Sequence, residues 1–288
     1  MRVGVLAVGL SVLVLGLAAT ATGGPAAPVA IPGCAKSGLD LVKDGQLSLA
    51  TDNPAFPPWW GGAAKKPWEV SNPASGKGYE SAVAYAVAKQ LGFSKGQVGW
   101  SAVPFNNSFR PGKKPFDFYM AQVSYLPARG KNVSFSNSYY FVNQAVVANG
   151  GTAISRVKTM AGLRPYKLGA QVGTTSYDYI KDFIQPSQSP SVYDSNNDAI
   201  AALNAGQIDG IVVDLPTAFY VVAVQLDDGT IVGKLPQRGP REHFGMVFEK
   251  GSTLTRCVNK ALNRLWANGS VKGLQRKYLA QAGAPDLR

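Results

Sequence analysis

The sequence predicts an α/β protein of two lobes, each built on a parallel-type sheet, the two joined by a pair of hinge strands. Three observations predict this. From Lys167 onward, extended and helical patterns alternate regularly, which implies strands covered by helices on both faces. Strands fall in an early block, in this regular middle block and in a late return. The runs that bound the middle block, 139–148 and 244–249, are both extended, as two strands crossing between lobes would be. A ligand would bind between such lobes.

The elements follow in order. Met1-Arg2 precedes an uncharged run from Val3 to Ala19, and small residues fill 21–30. The run is short for a spanning helix and has the length of a signal-peptide core; an uncleaved anchor is the other reading. Residues 1–33 are expected to be a leader and 34–45 a tether. Lobe 1 is expected to comprise 46–145 and 243–288, and lobe 2 to comprise 146–242. Leu47–Thr51 alternates as a strand, 61–78 is a long loop, and Ala-rich Tyr79–Leu91 is a helix ended by Gly92. Val98–Phe105 and Phe116–Ser124 read as strands. In the middle block, 167–172, 192–193, 208–213 and 230–235 read as strands. Helices are expected at 174–184, 198–205 and 216–226, the last with Pro216 at its first position. Gly245–Phe248 is a strand, and helices at 253–267 and 270–281, split by Asn268-Gly269, finish the chain.

Composition excludes several classes. There is one histidine, His243, so no two-histidine metal site exists, and any Ser-His-Asp triad would run through that residue. Two cysteines are too few for a four-cysteine zinc site or an iron–sulfur cluster, and no metal or cofactor is expected. The net charge is +12, yet basic residues come as scattered pairs such as Lys65-Lys66 and Lys113-Lys114. That pattern reads as a solvated basic surface facing an anionic envelope, with no nucleic-acid partner. No nucleotide-binding loop occurs.

Several residues stand where cleft chemistry needs them. Arg129 follows the apolar run 116–124, and guanidinium offers a carboxylate two parallel donors. Gln122 and Ser124, two apart on the expected strand, would share a face. Gly173-Thr174-Thr175 opens a helix whose N–H groups suit an anion, though Thr174 can also simply cap it. Asp214 ends an apolar strand where it could meet an ammonium group, or cap the helix at Pro216. Phe56, Trp59, Trp60, Trp68 and Phe105 form an aromatic set, and Asp52 could reach a basic side chain. Asn106 and Asn107 are weaker pocket candidates.

Six stretches together resemble a known family: ATDNPAFPPW (50–59), GKGYESAVAYAVAKQLG (76–92), FDFYMAQVSYLPARGKNVSFSNSYY (116–140), KLGAQVGTTSYDYI (167–180), DGIVVDLPTAFY (209–220) and HFGMVFEKGSTL (243–254). In that order they resemble the amino-acid-type extracellular solute-binding proteins of ABC importers, family 3. The resemblance implies a type II periplasmic-binding-protein-like fold, hinge closure on a small zwitterion, and delivery to a membrane permease. It implies that Arg129 clamps the ligand's α-carboxylate, that Thr174 and Thr175 complete that site from lobe 2, and that Asp214 binds the α-amino group. Phe56 and Phe105 would sandwich the side chain, with Trp59 beside them. Leu126 stands for a hydroxyl residue, Ala128 for a Glu and Gln122 for a small residue of the family pattern, and Trp59-Trp60 is added; Leu126, Gln122 and the indole pair would make the pocket more aromatic and less hydroxylated. A neutral polar, aromatic or cationic amino acid is therefore expected over an acidic one. An exported monomer, at the cell surface or in the periplasm, is expected.

Two alternatives stay open at this level. The first is a small-carboxylate dehydratase-like enzyme on the same scaffold, with Glu69, Glu80, Asp214 or His243 as acid or base. The second is a basic envelope-interaction module. Cys34 has two readings as well. Ile31-Pro32-Gly33-Cys34 looks like a lipid-attachment site, but Pro32 is unusual there and Cys34 lies far beyond the apolar core. Pairing with Cys257 is the preferred reading.

Overall fold

The structure, a computed structural model, describes Met1, Gly4, residues 30–279 and residues 283–288. The apolar core of the expected leader lies outside the described residues apart from Gly4, and no described helix is long and apolar enough to cross a membrane.

The strands are β1 (Leu47–Thr51), β2 (Val98–Ala102), β3 (Phe118–Tyr119), β4 (Val133–Phe135), β5 (Tyr140–Phe141), β6 (Gln144–Asn149), β7 (Leu168–Gln171), β8 (Ser191–Tyr193), β9 (Gly210–Asp214), β10 (Gly229–Lys234), β11 (His243–Phe244) and β12 (Val247–Glu249). The helices are α1 (Tyr79–Gln90), α2 (Phe105–Ser108), α3 (Pro127–Asn132), α4 (Thr175–Tyr179), α5 (Asn196–Asn204), α6 (Leu215–Tyr220), α7 (Leu254–Ala267) and α8 (Ser270–Leu279). One sheet has the order β2-β1-β3-β12-β4 and the other β10-β6-β9-β7-β8. Between them, β5 pairs antiparallel with β11, His243 opposite Phe141, so the two bounding runs do meet as crossing strands.

The sheets are mixed rather than purely parallel. β1 runs parallel to β2 and β3, and β7 parallel to β8 and β9, as crossover helices require. β6 and β10 run antiparallel to their neighbours, and so does β12, because these strands carry the chain into or out of a lobe through the hinge.

Each lobe has its own core. Tyr79, Val83, Ala84, Val87 and Ala88, one face of α1, pack with Leu254, Val258, Ala261 and Leu262 of α7 against Leu47 and Leu49. The α1 start needs glycine at 78: its φ is +87°, and a Cβ there would sit 2.4 Å from the Trp60 backbone. In the second lobe, Val146, Leu168, Val212 and Ile180 fill one face of the sheet, and Val147, Ile211, Leu203 and Val221 the other.

Three segments differ from expectation. The expected strand at 116–124 ends at Tyr119, because Gln122 takes a left-handed φ of +51° and turns the chain inward. The strand expected to reach Phe105 stops at Ala102, and Phe105 opens α2. The expected tether is docked on lobe 1. Cys34 is buried in the first core, as is Ile31 from the end of the expected leader, and the Asp117 carboxylate accepts from Val42 N (2.8 Å) and from Ser48 N of β1 (2.6 Å). Cys34 is disulfide-bonded to Cys257 on α7, which leaves no thiol there for a lipid.

The tail also changes lobes. α8 packs on α1 and α7, whereas Leu287 is buried in the second core beside Val232 and Leu235. Leu287 N donates to Lys234 O (3.0 Å), Met160 N to Arg288 O (2.8 Å), and Asp286 pairs with Lys234 (2.8 Å). Residues 283–288 thus lie on the second lobe, although the stretch 243–288 reads as lobe 1 in the sequence.

Candidate functional site

A cleft of about 440 Å³ lies between the sheets. Its first-lobe wall follows the C-terminal end of β1 (Thr51 to Phe56), the start of α2 (Phe105 to Asn107) and the turn at Ala121 to Ser124. The facing wall follows the ends of β7 (Gln171 to Ser176) and β9 (Val213 to Thr217). Strand C-termini converge on the cleft from both sides, which is where open α/β sheets place ligands.

Arg129 is 7% exposed and held in place from several directions. Its Nη1 donates to Ser124 O (2.6 Å) and its Nη2 crosses to Gly173 O of the second lobe (2.7 Å). The guanidinium lies 4.5 Å from the Phe109 ring centre and 5.7 Å from that of Phe105. Burial lowers its pKa to about 10, which leaves it charged at neutral pH. Phe105 lines the cleft as expected and also supports the arginine. Close approach of the lobes requires glycine at 173, where a Cβ would meet Asn106 Oδ1 at 2.2 Å.

Asp214 lines the opposite pole. Burial first, and then the neighbouring Glu242 carboxylate, push its carboxyl well above the usual range, while Gln144 Nε2 donating to Oδ1 (2.8 Å) opposes them. Thr174 is the cap of α4: its Oγ1 accepts from Tyr177 N (3.2 Å) and donates to Gln171 O (2.7 Å). Thr175 Oγ1 and Ser124 Oγ both donate to Glu242 Oε1, at 2.6 and 2.5 Å. Asp52 is at the cleft wall, its carboxyl raised to about 6 by burial against a bond from Asn53 N.

Two expected residues are placed differently. Gln122 lines the cleft, but its side chain turns back to Glu80: Gln122 N donates to Oε1 (2.8 Å) and Nε2 to Oε2. It does not share a strand face with Ser124, because the strand has already ended. Trp59 is not part of the cleft wall. It is buried against Tyr79, Tyr140 and Phe244, and its Nε1 donates across the lobes to Thr217 Oγ1 (2.9 Å). Trp60 borders the cleft but is itself buried, its ring 5.2 Å from that of Trp100, while Phe56 lines the cleft and lies 6.4 Å from the Tyr220 ring.

The family profile of the bacterial extracellular solute-binding proteins, family 3, matches residues 61–281. The chain belongs to that family. It is similar to the arginine-binding extracellular protein ArtP of Bacillus subtilis strain 168, with 25% identity over 74% of this chain and 82% of the relative. Similarity to the L-arginine-binding protein of Pseudomonas aeruginosa PAO1 is 28%, over 76% of this chain and 85% of the relative. A solved ancestral arginine-binding protein bound to arginine superposes with a TM-score of 0.66 at 26% identity, covering 82% of this chain and 99% of that one.

In this family-3 protein, sequence reasoning missed the polar floor of the cleft. Glu242 sits between Arg241 and His243 and reads as a surface acid. Gln144 had a usable signal, since it is a polar residue within the apolar run 139–148. The structure brings both beneath Ser124, Thr175 and Asp214. Among the described residues, no lysine or arginine lies within 4.0 Å of a carboxylate oxygen of Asp52, Glu80, Asp214 or Glu242. Arg129 has no acidic partner at that distance either.

Proposed function

We propose that the protein is the exported binding component of an ABC importer, closing on a zwitterionic amino acid with a cationic or neutral side chain and handing it to a membrane permease. The observation that carries this reading is the pair of unneutralised poles. Arg129 is a buried, ring-stacked guanidinium with no carboxylate within 4.0 Å, Asp178 and Glu242 acting on it only from farther off, and Asp214 with Glu242 is a partly buried acid pair with no lysine or arginine within 4.0 Å. An unpaired buried charge is costly, so both poles favour a ligand that brings the missing charges. The α-carboxylate meets Arg129 and the α-ammonium meets Asp214. Asp52 and the rings of Phe56, Trp60 and Phe105 remain for the side chain. Beyond the two poles, Asp52 adds negative charge to the wall, and the exposed Arg110 lies at its rim. The arginine-binding relatives support a cationic side chain.

Calorimetry and thermal shift with arginine, lysine, glutamine, phenylalanine and glutamate test this. Arginine or lysine is expected to bind most tightly and to raise the melting temperature. Preferential binding of glutamate, or of none of the five, would overturn the reading.

A further inference from the structure

The outer side of the first lobe's helical layer carries one sign of charge. From Gly251 to Leu279 the chain holds Arg256, Lys260, Arg264, Lys272, Arg276 and Lys277, and no Asp or Glu. Arg256, Lys260 and Arg264 stand four apart on α7, and Lys272 and Arg276 four apart on α8, so each set forms a row along its helix. Cys257, Val258, Ala261, Leu262 and Leu265 of α7 and Val271 of α8 turn into the core, which leaves the rows outside. Arg256, Lys260, Lys272, Arg276 and Lys277 are exposed, and among the described residues none has a carboxylate oxygen within 4.0 Å. The neighbouring α1 adds exposed Lys89, and its one acid, Glu80, is wholly buried.

Folding does not ask for this arrangement. Like charges four apart weaken a helix, and interleaved acids would relieve them. Arg256 also stands in the first turn of α7, at the positive end of the helix dipole, where an acid is preferred. The second lobe does interleave its charges: Lys181 lies between Asp178 (3.8 Å) and Asp182 (3.6 Å). The N-terminal segment enters the first lobe on the same cationic face. Arg264 Nη2 donates to Ala30 O (3.2 Å), Lys260 Nζ donates to Pro32 O (2.9 Å), and Cys34 is bonded to Cys257, so residues 30–34 run along the α7 row. Kept as an anchor, the apolar run that ends at Ala19 is joined to Ala30 by a stretch reaching at most about 40 Å, which holds this face near the bilayer. Removed as a signal peptide, it leaves a new α-ammonium group at the head of the same segment.

We propose that the outer face of α7 and α8 is a docking surface for the anionic phospholipid headgroups of the membrane, on which the protein rests between ligand deliveries. The rows supply charge complementarity, and the point where the chain enters favours a bilayer over a soluble polyanion. The inference is independent of the ligand reading: neither helix lines the cleft, which stays open while this face is docked.

Co-sedimentation of the exported protein with phosphatidylcholine vesicles, with and without admixed phosphatidylglycerol, tests this. Binding to the mixed vesicles is expected to be at least about tenfold tighter and to weaken as salt rises. The variant combining Arg256→Glu, Lys272→Glu, Arg276→Glu and Lys277→Glu is expected to lose roughly a hundredfold of that affinity or more. A control with the same net charge, combining Lys65→Glu, Lys66→Glu, Lys113→Glu and Lys158→Glu at exposed sites elsewhere, is expected to lose only a few-fold. Equal loss in the two variants would reduce the effect to net charge and overturn the inference. Equal binding of wild type to the two kinds of vesicle, or to neither, would do the same. So would capture of soluble linear polyphosphate through these helices without vesicle binding, which would make a polymer the partner. Should the reversal variant fail to fold, Gln at the same four positions decides, with a loss of roughly tenfold expected.

Discussion

At the scale of single residues, the cleft carries charges with no opposite side-chain charge within 4.0 Å. On the proposed assignment, Arg129→Ala removes the guanidinium and would leave the ligand carboxylate without a partner. A loss of about 2–5 kcal/mol of binding is expected, with the melting temperature of the free protein little changed. Calorimetry beside a thermal melt checks both parts. Asp214 gives a pH prediction. Its carboxyl is held above the ordinary range in the free cleft, and an ammonium ligand favours the ionised form. Binding therefore drives a proton off, and affinity weakens as pH falls through that raised value. Titration in two buffers of different ionisation heat should show net proton release. Proton uptake would contradict the assignment of Asp214 to the ammonium. Glu80 is the buried counterpart of these groups. Three donors from Tyr139 and Gln122 surround it, yet burial still raises its carboxyl to about 7. Its role is to hold the turn at Gln122, beside the cleft.

At the scale of elements, two segments are pinned in place, one within the first lobe by a disulfide and the other on the second lobe by packing. The Cys34–Cys257 bond ties the N-terminal segment to α7 across a separation of 223 residues. Closing so long a loop limits the unfolded chain, by about 5 kcal/mol in the chain-entropy account. Thiol titration of the denatured, unreduced protein should find no free thiol, and Cys257→Ser should lower the melting temperature. A reactive thiol in the wild type would contradict the pairing. The other end is the tail. Leu287 fills a site on the second sheet against Val232 and Leu235. Leu287→Ala leaves a cavity there and should cost about 2–5 kcal/mol. Hydrogen exchange should then rise in β10, which Lys234 joins to the tail. A uniform change across both lobes would argue that the tail matters only to global stability.

At the scale of the whole molecule, the lobes are in contact across the cleft. Arg129 reaches Gly173 O, and Trp59 reaches Thr217 Oγ1. The second bond is buried, so a Trp59 indole without it carries a desolvation cost only when the lobes are closed. Thr217→Val keeps the shape and deletes the acceptor. Ligand affinity is expected to fall by about 1–3 kcal/mol, while the stability of the ligand-free protein changes little. Scattering with saturating ligand should still reach the closed dimensions. An unchanged dissociation constant would show that this bond does not contribute to closure.

By itself, the sequence determined the two-lobe α/β architecture, the crossing strands and the placing of Arg129 and Asp214 at the cleft. Those follow from periodicity along short stretches, and from residue types whose chemistry is distinctive wherever they stand: Arg129, Asp214 and the Gly173 turn. Tertiary structure alone decided which way several of these side chains face. The strand at 118–119 stops because a left-handed residue at 122 anchors on Glu80, a contact 42 residues away in sequence. Trp59 and Trp60 are neighbours in the chain and both are core residues, yet only Trp60 borders the cleft, because Tyr79, Tyr140 and Phe244 close around Trp59. The tail crosses to the second lobe because an apolar site waits there for Leu287. Glu242 reads as a surface acid until the hinge brings Ser124, Thr175 and Gln144 around it. Hydrogen bonds and packing act at a few ångströms in space, and local pattern carries no record of which distant residues will arrive there.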